Sequence, residues 1–184
     1  MNIISSKITE ALEFCALAHK DQKRKKTEIP FASHPSSVGF ILHSSGYGEE
    51  VVIAGILHDV IEDTIYSEID IKNKFDENVM NLVKGVTEDV TIKTWKGRKD
   101  DYLNRVSNSN DDVKAICAAD LLDNCRAMVR SLENGLNIWE AFSESRETLI
   151  NYYKKRLSIV EKNIKPELAM ELEKVILELE KFLV

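Results

Sequence analysis

Four side chains in this chain suit a divalent cation: His34, His58, Asp59 and Asp120, two of them adjacent. Neighbouring residues stand about 100° apart around a helix, so His58 and Asp59 can lean toward one point at its edge. His34 directly precedes Pro35, a residue suited to a helix start that can anchor it there. Asp120 lies in the run ICAADLLDN, which offers its carboxylate no evident partner. An unpaired buried carboxylate is strongly unfavourable, and one shared ion would explain why all four tolerate their surroundings. Two imidazoles and two carboxylates without a thiolate suit Mn²⁺, Fe²⁺, Ni²⁺ or Zn²⁺ with open water positions better than a closed structural zinc site. A lone buried histidine is more often a satisfied core residue, and a His-Asp pair is common by chance. The set of four is the specific signal.

A second group follows at helical spacing. Glu62 is four residues after His58, and Asp63 four after Asp59, so this pair lies one turn along from the first. Carboxylates there can orient a water molecule and take its proton. Acids are disfavoured at the negative end of a helix, so solvation alone does not account for them. Asn124, four residues after Asp120, puts a neutral amide on the same side.

The elements that must position these residues are helical. Ile4, Ile8, Leu12, Cys15 and His19 fall on one face of a first helix beginning near Ser5 or Ser6. Pro35, Val38, Ile41 and Leu42 mark a second, stopped by Gly46 and Gly48, and the third runs from Glu49 to Glu62. Ser67 with Asp70 opens a fourth; Asp76 to Lys84, closed by Gly85, makes a fifth. Val86 to Lys99 reads as the longest loop, with a helix around Asp101 to Val106 after it. The last Asp of SNSNDD can cap a long helix from Val113 to Leu132, closed near Gly135. Ile138 to Asn163 is helical with a break near Ser143, and Pro166 starts a last amphipathic helix carrying Leu168, Leu172, Val175, Ile176, Leu179 and Phe182. That helix packs either on the domain or on a second copy, which leaves a homodimer open. Gly85–Val90 is the one strand candidate. The expected fold is all-α, a single-domain helical bundle over residues 1–184.

Composition sets the outer limits. A length of 184 residues suffices for one domain with a real core, and a net charge of −6 argues against a duplex nucleic-acid footprint. Three cysteines, Cys15, Cys117 and Cys125, sit among apolar residues with no C-x-x-C spacing and read as small buried hydrophobes. No secretory signal and no apolar run long enough for a membrane span is visible, so a cytoplasmic protein without membrane partners is expected.

The segments HKDQKRKKTEIPFASHP, AGILHDVIEDT, LVKGVTED and AADLLDNCRAM resemble the HD metal-dependent phosphohydrolases, in particular the hydrolase domain of RelA/SpoT-type alarmone enzymes and their small stand-alone relatives. The resemblance covers roughly residues 8 to 160. It implies an HD-type bundle and a Mn²⁺-dependent 3′-pyrophosphohydrolase acting on ppGpp or pppGpp. It also implies His34, His58, Asp59 and Asp120 as metal ligands and Glu62 and Asp63 as the catalytic acids. Asn124 then lies beside the nucleotide sugar and phosphate, with Arg24 and Lys25 on the base and phosphates. The run Lys23-Arg24-Lys25-Lys26 fits that role: a guanidinium can stack on a purine, and lysines supply point charges for pyrophosphate, Lys26 included. Lys96, Arg98 and Lys99, around Trp95, form a second basic patch that is either a substrate lid or a solvated loop.

Three positions depart from the family pattern. Lys26 stands where a glycine is typical, Leu121 where a basic residue is usual, and Asp123 where His or Tyr is usual. Hydrolysis at a metal is therefore the firmer expectation, and the substrate the more open one. Two alternatives stand beside ppGpp hydrolysis: an HD phosphohydrolase acting on another nucleotide or phosphate ester, and a non-enzymatic nucleotide-binding sensor. No synthetase or regulatory domain is expected.

Overall fold

The computed structural model describes residues 4–183; residues 1–3 and 184, which the expected domain includes, lie outside them. Among the described residues there is no strand, only an isolated bridge between Lys23 and Pro30. The described residues form ten α-helices: α1 (Ser6–Ala18), α2 (Ser33–Ser44), α3 (Glu49–Leu57), α4 (Val60–Asp63), α5 (Glu68–Phe75), α6 (Glu77–Val86), α7 (Trp95–Ser107), α8 (Asp111–Glu133), α9 (Arg146–Val160) and α10 (Pro166–Glu180). The all-α expectation is met, and the buried apolar side chains form one continuous core.

The centre is α3. Every residue from Val51 to Leu57 is buried, as expected for a helix apolar on all sides. Val51, Val52, Ile53 and Ile56 are poor helix formers, so burial must hold them helical; full burial of such a side chain is worth about 1.5–3 kcal/mol. A short connection makes α2 and α3 an antiparallel hairpin. A Cβ at Gly39 would run into Ile56 Cγ1, and one at Gly55 into Leu42 Cδ1, so the two axes approach as closely as glycine permits. That hairpin sets His34, in the first turn of α2, against His58, at the end of α3. Gly39→Ala is expected to destabilise the protein by about 1–3 kcal/mol through overpacking, although alanine is intrinsically better than glycine in a helix by about 1 kcal/mol. Urea unfolding with an unchanged m-value would check it; wild-type stability would show that the hairpin can open.

Several boundaries differ from the sequence expectation. The third helix is not continuous to Glu62: it breaks at His58–Asp59 and resumes as α4. His58 Nδ1 donates to Gly55 O at 2.8 Å, and this local bond accompanies the turn. The residues proposed as a strand instead end α6, which runs through Gly85 to Val86, and enter the following loop. Gly85 does not stop the helix; its missing Cβ leaves room for Val113, whose Cγ2 would stand 2.7 Å away. The long loop is shorter than expected, because Thr94 caps Gly97 N at 3.2 Å and α7 begins at Trp95. The cap of α8 is Asn110, not the last Asp of the polar run; its side chain accepts from Val113 N at 2.9 Å, and both aspartates fall in the first turn.

Two more bounds shift: α2 opens at Ser33, two residues ahead of Pro35, and α10 ends at Glu180, which leaves Phe182 in a 3₁₀ turn (Lys181–Leu183). Ser5 caps α1, Ser67 and Asp70 form a capping box on α5, and a 3₁₀ turn (Ile138–Ala141) precedes the break before α9. The apolar face of α10 is buried against α8 and α9 of the same chain, which accounts for it without a second copy. All three cysteines are buried and free, and burial pushes the Cys15 thiol up to about 12. No helix among the described residues is long and apolar enough to cross a membrane.

Candidate metal centre and active-site cavity

α2, the break between α3 and α4, and α8 meet at one point. The His34 and His58 rings lie 5.1 Å apart at 78°. His34 Nε2 is 3.2 Å from Asp120 Oδ1 and 3.6 Å from Asp59 Oδ2; His58 Nε2 is 3.1 Å from Asp59 Oδ2 and 3.7 Å from Asp120 Oδ1. Ligand atoms about 2.1 Å from a divalent ion stand about 3.0–3.4 Å apart at octahedral or tetrahedral angles, so these spacings suit a shared ion. His34, His58 and Asp120 qualify as a compact set, and Asp59 joins through its contacts to both rings.

The tautomers point the same way. His34 Nδ1–H donates to Asp123 Oδ2 at 2.7 Å, and His58 Nδ1–H to Gly55 O, so both Nε2 atoms face carboxylate oxygens with their lone pairs. Only a cation or a proton reconciles that arrangement. His58 Nε2 is buried and makes no hydrogen bond, although Asp59 lies near. Burial would push the His58 imidazolium down, yet Asp59 and Asp120 outweigh it and hold it well above its ordinary value. These residues fit a divalent ion.

Further side chains fix the candidate ligands, and their neighbours in sequence give no sign of it. Arg156, buried in α9, donates from Nη2 to Asp120 Oδ2 at 2.8 Å and to Cys117 O at 2.8 Å. Burial would raise the Asp120 carboxyl, but the Arg156 guanidinium holds it well below the usual carboxylate range. Asn124 Nδ2 donates to Asp120 Oδ1 at 2.6 Å, leaving its own oxygen to Arg24 Nη1 at 3.4 Å. Asp123, noted only as a departure, orients His34 and pairs with Arg24 Nη2 at 3.3 Å.

Around this cluster opens a cavity of about 840 Å³. Its wall includes His34, His58, Asp59, Asp120, Glu62, Arg24, Lys25, Asn124 and the buried Leu121. Burial pushes the Glu62 carboxyl up to about 7, while the Glu88 N–H donating to Oε2 at 2.9 Å opposes it. Asp63 is exposed and is not among the lining residues; its carboxyl is raised by partial burial and by Asp59, and Gln22 Nε2 holds its backbone oxygen at 2.7 Å. Lys26 is not brought into the wall either. It pairs with Glu140 at 3.2 Å and adopts φ 58°, the left-handed backbone that favours glycine.

A family model described as an HD domain matches residues 11–131. The chain belongs to the HD-domain family. Among similar proteins, this HD-domain chain is 36% identical over 125 residues to the guanosine-3′,5′-bis(diphosphate) 3′-pyrophosphohydrolase MESH1 of Drosophila melanogaster, covering 66% of this chain and 69% of that one. It is 35% identical over 126 residues to the guanosine-3′,5′-bis(diphosphate) 3′-pyrophosphohydrolase of Aquifex aeolicus, covering 67% of this chain but only 18% of that longer relative. The solved structure of a metazoan ortholog of SpoT that hydrolyzes ppGpp matches with a TM-score of 0.81 at 30% identity, covering 95% of this chain and 96% of that one. The helical bundle and the meeting of α2, α3 and α8 are thus those of an HD domain.

Proposed function

We propose that this chain is a divalent-metal-dependent hydrolase that removes pyrophosphate from the ribose 3′ position of guanosine-3′,5′-bis(diphosphate). The observation that carries the chemistry is the buried, unbonded His58 Nε2 beside Asp59 and Asp120, with the Glu62 carboxyl in the same cavity. The similarity to proteins that bear this activity in their names supports the substrate.

His34, His58, Asp59 and Asp120 would hold the ion, Mn²⁺ being our choice for two imidazoles and two carboxylates. When bound, the ion supplies Lewis acidity toward a phosphoryl oxygen and makes water more acidic. Glu62, raised to about 7 by burial, can accept a proton near neutrality from a water held against the phosphorus on the 3′ oxygen. A new P–O bond forms, the bond from that phosphorus to the 3′ oxygen breaks, and the ribose oxygen takes up a proton, which gives GDP and pyrophosphate. Asp63, which the resemblance pairs with Glu62, lies outside the wall, so its part would be electrostatic, as a negative charge near Asp59 and Lys25. Arg24, fixed by Asp123 and Asn124, presents its guanidinium in the wall for the base, and Lys25 meets phosphate charge. The buried free thiols fit a reducing, cytoplasmic setting.

The test is a substrate panel with Mn²⁺: ppGpp, deoxynucleoside triphosphates, nucleoside monophosphates and cyclic nucleotides. Pyrophosphate release from ppGpp well above the others is expected. Turnover of another member with none of ppGpp would sink the assignment. A second reading, a different phosphate ester, draws on Leu121 and Asp123, which give this cavity an apolar and an acidic wall position. The non-enzymatic sensor has no use for a half-buried Glu62 tuned close to neutrality.

A further inference from the structure

We infer that Lys99 and Arg98 of α7, with Lys25, form a second phosphate pole in the cavity, which takes the 5′-diphosphate of the nucleotide whose 3′ end lies at the metal ligands; this rests on the proposed reaction. The basic patch around Trp95, left open between lid and solvated loop, is divided by the structure. Lys96 turns outward to Asp100 with 83% of its side chain exposed, whereas Arg98 and Lys99 line the cavity at 28% and 22%. Lys99 Nζ stands 5.4 Å from the centre of the Tyr152 ring, and Lys25 Nζ 4.6 Å from that of Phe142, so aromatic faces hold both ammonium groups.

The charges around them do not balance. One carboxylate, Glu88, serves both Lys99 and Arg98, the latter at 3.7 Å, and Lys25 has no ion-pair partner among the described residues. Burial lowers Lys25, and Lys99 is the next cause, so the two ammonium groups act on each other across this wall; Asp63 partly offsets them. Three cations with one ion-paired acid, Asp63 lying beyond ion-pair distance of Lys25, leave a positive excess that suits a diphosphate. The first turn of α7 contains no acid, and bases there oppose the helix dipole, an arrangement that an anion would reconcile. Glu88 links this pole to the reacting end of the cavity: its side chain holds the lysine and arginine, while its backbone N–H donates to Glu62. In ppGpp the 3′ phosphates belong at the metal, so the 5′ phosphates need a cationic home of this kind elsewhere in the cavity.

GDP, guanosine and inorganic pyrophosphate, titrated calorimetrically into the Mn²⁺-loaded protein, test the pole. Losing one charge-assisted contact predicts that Lys99→Met weakens GDP by about tenfold or more, with guanosine affinity unmoved. Glu88→Gln, which frees Lys99 and removes the acid beside Arg98 while Ile92 O and Lys93 O still hold its Nη1, is expected to tighten GDP, a gain that misfolding cannot mimic. GDP binding indifferent to Lys99→Met overturns the proposal. So does a pyrophosphate loss as large as the GDP loss, which would mark a site for the leaving group. Lys99-dependent GDP binding without pyrophosphate release from ppGpp would sink the reaction and keep the pole; turnover with Lys99-independent binding would do the reverse.

Discussion

Asp59→Ala is expected to lose both the bound metal and all turnover above background while keeping the fold. Asp59 is the one carboxylate of the cluster that no arginine or asparagine among the described residues holds; its close contacts are the Nε2 atoms of His34 and His58. Its removal therefore strands no buried cation, in contrast to Asp120, whose loss would leave Arg156 buried without its acid at a cost of about 3–5 kcal/mol. Metal analysis of the purified variant, far-UV circular dichroism and pyrophosphate release together check this. A variant that keeps stoichiometric metal would remove Asp59 from the ligand set. Chelation of the wild type should mimic the variant in activity and lower its melting temperature, since a ligand bound only by the native state stabilises it.

Glu62→Gln should separate binding from chemistry. The amide keeps the shape of the side chain and an oxygen for the Glu88 N–H, so metal content and stability are expected to stay at wild-type levels. Removing a general base typically costs about 10²–10⁴-fold in kcat. The pH profile carries the sign: a base works deprotonated, so the wild-type rate should fall as pH drops below the Glu62 pKa, which burial places near 7 and a bound cation moves downward. That acidic limb should vanish in the variant. A Glu62→Gln enzyme of full activity would refute the role.

The legible part of this site was the part written in scarce residue types. Four histidines in 184 residues, two of them next to or just ahead of helix-shaping neighbours, stand out against any background. What escaped is what looks ordinary locally. Arg156 sits in YYKKRL beside Lys154 and Lys155, both exposed, and nothing in that string shows that the third cation turns inward to Asp120, 36 positions away. Asp123 met His34 across 89 positions for the same reason. The break at His58–Asp59 was hidden because apolar periodicity runs on through Val60 and Ile61. The start of α7 was hidden because WKGRK pairs a glycine with a thin apolar signal, and the hydrogen bond of its Thr94 cap is a matter of geometry rather than pattern.

Arg24 is tied to Asp123 and Asn124, and each of those also holds a proposed metal ligand, His34 in one case and Asp120 in the other. A nucleotide that draws the guanidinium onto its base would therefore redistribute the bonds that orient two of the proposed ligands. Thermodynamic reciprocity then applies: the factor by which the ion changes the affinity for nucleotide is the factor by which nucleotide changes the affinity for the ion. Metal content measured without nucleotide thus describes only one corner of a four-state cycle, and the ion that matters is the one retained with the nucleotide in place.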